Sequence, residues 1–208
     1  MLVNVLTPGF TTSNGSAFLF PLIVFKNEIR NAGIEISITN SSTKDLSQCD
    51  IVAIDSKQFR YIPDDRQDEI KELINQYRSS KAKIIWFDTT DSTGTLQAEM
   101  VPEVDKYMKA QLLRNKNRYK QRIYSGREHS EYYFQTTGTA DSDENAVNEP
   151  ISSEDTAKLG ISWNSGLADY STYGPIKMGI YRRTHLRYLL RYPKSSAPNN
   201  PARDKELS

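Results

Sequence analysis

Two aspartates stand close together in the segment DTTDS (88–92), directly after the apolar run KIIWF. A carboxylate in such a position can act as a general base, or hydrogen-bond a substrate hydroxyl, if the pocket limits its contact with water. Carboxylates at the ends of strands also serve simply to close turns. We therefore predict Asp88 and Asp91 as catalytic residues, with a structural turn as the alternative.

The loop TPGFTTSNGS (7–16) is a second candidate, because it separates a short apolar run from a long apolar segment. Glycine lets a backbone approach a ligand closely, and free N–H groups at a helix start favour phosphate or carboxylate. The loop has neither the G-x-G-x-x-G spacing of a dinucleotide site nor the spacing of a P-loop. The alternative is an ordinary strand-to-helix turn capped by Ser13 or Asn14. The predicted substrate-binding residues in this loop are Gly9, Thr11, Asn14 and Gly15.

A basic segment near the end of the sequence is the third candidate. A helix from about residue 180 would carry tyrosines and leucines on one face and Arg183, Arg187 and Arg191 along another. Such a helix suits an anionic membrane surface or an acidic partner. Interleaved arginines and tyrosines can also hold single-stranded nucleic acid. A third interpretation packs the tyrosine face on the protein and leaves the arginines in water.

The remaining reactive residues favour no site. Asp141 and Asp143 resemble a metal-binding pair, but they lie in an acidic, turn-rich stretch, and cation binding needs ligands that are held in place. We predict no metal site. His129 and His185 are far apart in sequence. The single cysteine, Cys49, excludes an internal disulfide and a cysteine-based zinc site, and fits a cytoplasmic setting.

Asp55 ends an apolar run and could suggest a phosphate-accepting receiver domain. That chemistry also needs an acidic pair after the first strand, and TPGFTT contains none. We therefore set this class aside.

Composition limits the choice of partners. The chain has 208 residues, of which 37% are hydrophobic, and its 27 basic and 26 acidic residues leave a net charge of +1. The whole molecule thus carries no strong field, which does not favour a nucleic-acid partner.

The apolar run at residues 17–25 is too short for a bilayer and lacks the basic start of a signal peptide, so we predict a buried helix there.

The apolar spacing predicts the elements that position these residues. Strands are predicted near residues 2–6, 34–38, 50–55 and 83–88. A helix is predicted after the first loop, with Pro21 in its first turn and Gly33 at its end. A second is predicted over residues 65–79, with an apolar stripe formed by Ile70, Leu73, Ile74 and Tyr77. A further helix is predicted around 101–112, with Pro102 in its first turn and Val101, Val104, Met108 and Leu112 on one face. This order predicts an α/β fold with a Rossmann-like parallel sheet and helices on both faces, followed by a less regular C-terminal region.

The later part of the chain is expected to be less regular. RIYSGREHSEYYF (122–134) suggests strand-like pieces around a turn. We predict a Rossmann-like domain over residues 1–135, a flexible acidic loop over 136–158, a C-terminal segment with the basic helix over 159–192, and a disordered tail over 193–208. Because ligands of parallel sheets bind beyond the carboxyl ends of the strands, TPGFTTSNG, DSKQF and DTTDS are expected to line one edge.

The order of the loop TPGFTTSNG, the helix FLFPLIVFKNEIRNAG and the strands IEISI, CDIVAID and KIIWFDTTDS resembles the N-terminal half of a GT-B-type glycosyltransferase of bacterial surface-polysaccharide pathways. The resemblance covers roughly residues 1–115. It implies an acceptor-binding domain and hexosyl transfer without a tightly bound metal or other cofactor, a nucleotide sugar being the donor. By the same resemblance the 9–15 loop would face the cleft, with Asp88 and Asp91 on the acceptor side. We add Arg127, in RIYSGREHSEYY, to the predicted substrate-binding residues.

The role that follows from the resemblance is cell-surface glycan assembly, and we expect it in the cytoplasm. The basic helix would let the protein lie against the inner face of a membrane that carries a lipid-linked sugar acceptor. An enzyme of this type needs a second Rossmann-like domain for the donor, and no alternating pattern follows Leu113. We therefore expect a truncated or single-domain relative, or a partner domain or chain that supplies the donor site. The alternative is a non-enzymatic module that holds nucleic acid or an acidic partner through residues 116–122 and 177–194.

Overall fold

A computed structural model describes residues 1–9, 13–41, 49–59, 67–90, 93–140 and 148–163. Within these ranges the chain forms a six-stranded sheet in which every neighbouring pair is parallel. The strands are β1 (Leu2–Leu6), β2 (Glu35–Thr39), β3 (Ile51–Asp55), β4 (Lys83–Asp88), β5 (Lys106–Lys109) and β6 (Leu159–Ile161). Their order across the sheet is β2-β1-β3-β4-β5-β6. The predicted α/β class and parallel sheet are confirmed.

Helices lie between the strands. They are α1 (Ser13–Val24), α2 (Lys26–Asn31), α3 (Gln67–Ser79), α4 (Glu128–Thr137) and α5 (Ser153–Thr156). Short 3-10 turns occupy 56–59, 98–100, 116–120 and 124–126. The apolar stripe of α3 predicted from the sequence is present, since Ile70, Ile74 and Tyr77 are buried.

The sheet is covered on both faces, which is why its strands are apolar on both sides. On one face, α3 packs over the centre of the sheet, where Ile84 and Trp86 of β4 are buried. On the other face, Phe18 and Leu19 of α1 pack with Phe87 of the same strand. Successive residues of a strand point to opposite faces, so β4 supplies both cores at once.

The first helical segment differs from the prediction in its start. Pro21 lies inside α1 rather than in its first turn, because the helix already begins at Ser13. Proline has no N–H to donate to the preceding turn, and α1 ends soon afterwards at Val24, with α2 continuing from Lys26. The prediction that Gly33 ends this helical segment is confirmed. Gly33 follows Ala32, the C-cap residue of α2, and its φ of 81° is left-handed.

The helix predicted around 101–112 is wrong. Met100, Val101 and Val104 are buried in the α3-side core, but through a 3-10 turn and further turns, and the chain then enters β5. An extended backbone here lets β5 pair with both β4 and β6 and buries Tyr107, which stabilises the strand. Because the segment is short, its apolar residues fit both a helical and an alternating pattern.

The strand-like pieces predicted in 122–134 are also wrong. A 3-10 turn precedes α4, in which only Ser130 is buried, so no apolar stripe signals this helix. Its end is set by Gly138 in the left-handed conformation. Near its start Arg118 pairs with Glu128 and Glu131. Ion pairs, the Gly138 cap and the stack of Phe134 on Tyr124, with ring centroids 4.1 Å apart, therefore hold α4.

The sheet takes its last strand from residues 159–161, beyond the domain boundary predicted at residue 135. After β6 the ring of Trp163 stacks on Phe18, with ring centroids 5.5 Å apart, and contacts Phe87.

Residues 141–147 of the predicted acidic loop, the basic helix and the tail lie outside the described residues. In the part of the chain that is described, no helix has the length and apolar character needed to cross a bilayer.

Candidate functional site

The carboxyl edge of the sheet, where all six strands end, carries the buried polar residues Thr7, Thr39, Asp55, Asp88 and Lys109. The neighbouring strands β1 and β3 are followed by helices on opposite faces, α1 and α3. Ligands of doubly wound sheets usually bind at such a reversal, beyond the carboxyl ends of the two strands. The candidate site therefore lies at the ends of β1 and β3.

Asp55 joins three of the loops at this edge. Its carboxylate accepts hydrogen bonds from the Thr7 hydroxyl after β1 at 2.9 Å and from the Thr89 hydroxyl after β4 at 2.8 Å. The Lys57 backbone N–H donates a third at 3.0 Å. Asp55 itself is fully buried. Burial raises the pKa of Asp55, although the bonds from Lys57, Thr89 and Thr7 act in the opposite direction.

The loop after β1 turns away tightly from this cluster. Gly9 has a φ of 79°, a left-handed conformation that side-chain-bearing residues rarely adopt. In this conformation its N–H donates to the Thr7 hydroxyl at 3.1 Å, while Thr7 donates to Asp55. The loop backbone is therefore tied to β3 through one hydroxyl.

Asp88 forms a second buried cluster two strands from β1. Lys109 at the end of β5 donates to Asp88 Oδ2 at 2.7 Å, and neither side chain has exposed surface. The Tyr107 hydroxyl donates to the same oxygen at 2.7 Å. Oδ1 accepts both the backbone N–H and the hydroxyl of Thr90, at 2.9 and 2.6 Å. Each carboxylate oxygen thus has two protein donors.

This arrangement gives Asp88 a positioning role. With no exposed surface it offers a ligand no atom, but it holds the first residues of the β4–β5 connection in place. Lys109 adds to this by donating to the Thr90 hydroxyl at 2.6 Å. Burial, and then the charge of Asp88, raise the pKa of Tyr107 well above its ordinary value, so Tyr107 remains a donor. The half-buried Thr89 and Thr90 are the residues that this network presents at the edge.

A third polar contact spans the end of β1. The Gln58 side-chain nitrogen, in the 3-10 turn after β3, donates to the backbone carbonyl of Asn40 after β2, at 3.0 Å. Since β1 lies between β2 and β3, this bond crosses over the β1 end. Both side chains are partly buried.

The structure brings some predicted site residues together and separates others. Gly9 and Asp88 lie at the carboxyl edge, as predicted. Asn14 and Gly15 belong to the first turn of α1 instead of the loop. Arg127 is exposed at the start of α4, and its Cα lies 3.9 Å from the position a Cβ on Gly94 would take, in the connection that begins after Asp88. Thr11, Asp91, Arg183, Arg187 and Arg191 lie outside the described residues.

Sequence reasoning missed several residues of the edge. Thr7 and Thr89 sit in the segments already singled out, but a threonine beside an aspartate has no distinctive pattern. Lys109 was concealed by the helix predicted across it. A lysine is almost never fully buried without a partner. The partner of Lys109 is Asp88, 21 residues away in sequence, so no local pattern indicates the pair.

Among the described residues, no group of three or more histidine, cysteine, aspartate or glutamate side chains could hold a metal ion. The two buried carboxylates are each surrounded by hydroxyl, amide or ammonium donors. Comparison with protein-family models, with curated proteins and with solved structures finds no match.

Proposed function

We propose that this chain is a glycosyltransferase-like protein whose Rossmann-like domain binds a sugar acceptor at the carboxyl edge, over the ends of β1 and β3. The observation that carries the proposal is the Asp55 cluster. It ties the loops after β1, β3 and β4 together at the switch point of the sheet through hydroxyl groups. A site of this kind holds three loops in fixed relation around one crevice.

The chemistry of the lining supports a sugar more than a charged ligand. Hydroxyl and amide groups predominate, among them Thr89, Thr90 and Gln58, all partly exposed. Sugars offer hydroxyls that both donate and accept hydrogen bonds, so such groups can pair with them in either direction. The proposed activity is hexosyl transfer in cell-surface glycan assembly. A nucleotide sugar would be the donor, bound by a partner domain or chain.

The basic run 116–122 gives less support to nucleic-acid binding. Arg118 pairs with Glu128 and Glu131, and Arg122 pairs with Glu149 at 2.9 Å. Lys116 donates to the Leu159 carbonyl at 2.8 Å. These cations already have partners inside the protein, whereas phosphate binding depends on cations that can replace counterions. The acceptor proposal therefore takes precedence.

The proposal includes action in the cytoplasm, at the inner face of the membrane, on a lipid-linked acceptor. The described part of the chain supports this through Tyr132 and Tyr133 of α4, whose exposed fractions are 62 and 57%. Aromatic side chains of this kind are enriched at the headgroup level of membranes. Co-sedimentation with vesicles of phosphatidylglycerol and phosphatidylcholine would test it, because binding should be absent from pure phosphatidylcholine vesicles.

The main experiment is a thermal-shift panel of methyl glycosides, nucleotides, nucleotide sugars and oligonucleotides on the purified chain. A ligand present at about a hundred times its Kd stabilises the fold by about 2.7 kcal/mol, which is readily measured. We expect glycosides to raise Tm and free nucleotides to leave it unchanged. If oligonucleotides alone raise Tm, and the effect disappears steeply as salt rises, the nucleic-acid alternative replaces the proposal.

A further inference from the structure

The outer side of β2, one of the two edge strands of the sheet, carries open backbone groups. The Glu35 N–H donates to the Met1 carbonyl, so Glu35 faces β1. Backbone groups of successive strand residues point to alternate sides, and Ile36 and Ile38 therefore direct their N–H and C=O groups away from β1. No backbone hydrogen bond within the described ranges uses these outward groups.

The opposite edge of the sheet, β6, is protected. The Tyr107 N–H donates to the Lys158 carbonyl, so the carbonyl of the next residue, Leu159, faces outward. This carbonyl accepts a hydrogen bond from the Lys116 ammonium at 2.8 Å. In addition, β6 has only three residues. Short strands and lysines are common means by which proteins prevent an edge from pairing with another chain.

Neither form of protection occurs on β2. Its five residues, EISIT, include no lysine and no proline. Its one charged residue, Glu35, pairs with Arg30 of α2 at 3.3 Å. Ile36 and Ile38 pack on the α1-side core but remain partly exposed. An edge with open backbone groups and accessible aliphatic side chains is a template for a further strand.

The pattern of β2 is complementary to itself. In an antiparallel pair with Ser37 opposite Ser37 of a second copy, Ile36 of each copy lies opposite Ile38 of the other. Residues paired in this way exchange both N–H···O bonds, so every outward group of Ile36 and Ile38 finds a partner. The aliphatic side chains meet on one face, which favours pairing. Glu35 lies opposite Thr39, so no like charges face each other.

We propose that β2 is a dimer interface, at which two copies of this chain pair antiparallel about a two-fold axis at Ser37. A two-fold dimer is the commonest closed assembly of identical chains. Antiparallel pairing makes the carboxyl edges of the two sheets point in opposite directions, so neither copy adds residues to the carboxyl edge of the other. The inference is therefore independent of the proposed function, and this second copy is not the partner that would supply a donor site.

Sedimentation velocity on the full chain, from about 1 µM to about 1 mM, tests the inference, because dimerisation depends on concentration. Ile38→Pro removes an outward N–H and leaves the hydrogen bonds to β1 in place, which an edge strand tolerates. Ile161→Pro is the matched control, since Ile161 faces outward on β6 and is exposed. Ser37→Lys and Ser37→Asp each place two like charges opposite one another across the proposed axis.

We expect the unaltered chain and Ile161→Pro to dimerise with dissociation constants within about threefold of each other, and Ile38→Pro to dimerise at least about tenfold more weakly. Ser37→Lys and Ser37→Asp should each remain monomeric when alone. An equal mixture of the two should form a dimer, because opposite charges then face each other. Thermal unfolding of each variant shows whether it is folded.

Several results would overturn the inference. An unaltered chain that stays monomeric at every concentration excludes the interface, and assemblies larger than a dimer contradict a closed pairing. Dissociation by Ile161→Pro but not by Ile38→Pro would move the contact to β6. Ser37→Lys and Ser37→Asp proteins that each dimerise as the unaltered chain does would exclude the axis at Ser37. Should Ile38→Pro not fold, the two Ser37 variants and their mixture decide between pairing and no pairing at β2.

Discussion

The ammonium nitrogen of Lys109 lies 2.7 Å from Asp88 Oδ2, and both side chains are completely buried. The pair joins the ends of β5 and β4 beneath the β4–β5 connection. Burial of two charges is costly, so their value depends on both members being present and on the hydrogen bonds that surround them. Tyr107 and Thr90 supply those bonds.

Replacing Lys109 with methionine should therefore destabilise the protein strongly. Asp88 would keep its charge in a buried site without its counter-ion, and losses of about 3–5 kcal/mol in the free energy of unfolding are typical of such changes. Urea unfolding at neutral pH measures the effect. Lys106→Met is the matched control, since Lys106 is exposed on the same strand. We expect Asp88→Asn to recover part of the loss when combined with Lys109→Met, and equal losses for the two lysine variants would contradict the assigned pairing.

Asp55 should make stability depend on pH in a defined direction. Burial raises the pKa of Asp55, so the folded chain holds this proton to a higher pH than the unfolded chain does. The Asp55 contribution to the free energy of unfolding is thus greatest at low pH and falls as pH rises through the raised pKa. Urea unfolding between pH 4 and 7 on the unaltered chain and Asp55→Asn should show their difference shrinking, or turning in favour of the variant, as pH rises.

Asp105 serves as a control, because its contribution to stability should change with pH in the opposite direction to that of Asp55. Burial acts to raise the pKa of Asp105, but the Ile84 N–H and Lys83 outweigh it and lower the pKa. Its contribution is present above the unfolded-state pKa and is lost as pH falls through the lowered folded pKa. The difference between the unaltered chain and Asp105→Asn should therefore shrink as pH falls. Parallel pH profiles for the two variants would show that burial does not dominate at Asp55.

Gly9→Ala and Gly33→Ala should separate backbone strain from ligand binding. Both glycines are left-handed, with φ of 79° and 81°, and an alanine in this conformation costs about 1–2 kcal/mol. Nothing lies within 4 Å of the position that a Cβ on Gly33 would take, so only the backbone is affected there. We expect both variants to lose stability, and only Gly9→Ala to reduce the thermal shift caused by a bound glycoside. A glycoside shift that both variants retain in full would remove Gly9 from the site.

Trp163 should hold the chain that follows β6 against α1. Its ring stacks on Phe18 and contacts Phe87, and its indole N–H donates to the Phe18 carbonyl at 2.8 Å. Trp163→Ala should cost about 2 kcal/mol, less than a fully buried tryptophan because the residue is only half-buried. Trp163→Phe keeps most of the ring contact and should lose about 1 kcal/mol for the hydrogen bond. Chemical denaturation measures both, and an alanine variant as stable as the unaltered chain would show that the stack does not stabilise this face.

Local sequence patterns were sufficient to predict a large part of the architecture. Strands β1 to β4, the α3 stripe and the Gly33 terminator follow from runs and spacings within about 15 residues, and together they indicate a parallel sheet. The same reasoning placed Gly9 and Asp88 at one edge, because parallel strands must all end on the same side. These features depend only on neighbours in sequence and on one general rule of topology.

Tertiary structure alone decided the rest. The strand at Lys106–Lys109 exists because β4 and β6 offer it pairing on both sides, and β6 comes from a segment about 50 residues further along the chain. The contacts of Thr7 with Asp55 and of Asp88 with Lys109 join residues 48 and 21 positions apart. Strand order brings these side chains together, and no local spacing specifies strand order. The sequence therefore determined where the edge would be, and the packing of distant strands determined which polar groups on it pair with each other.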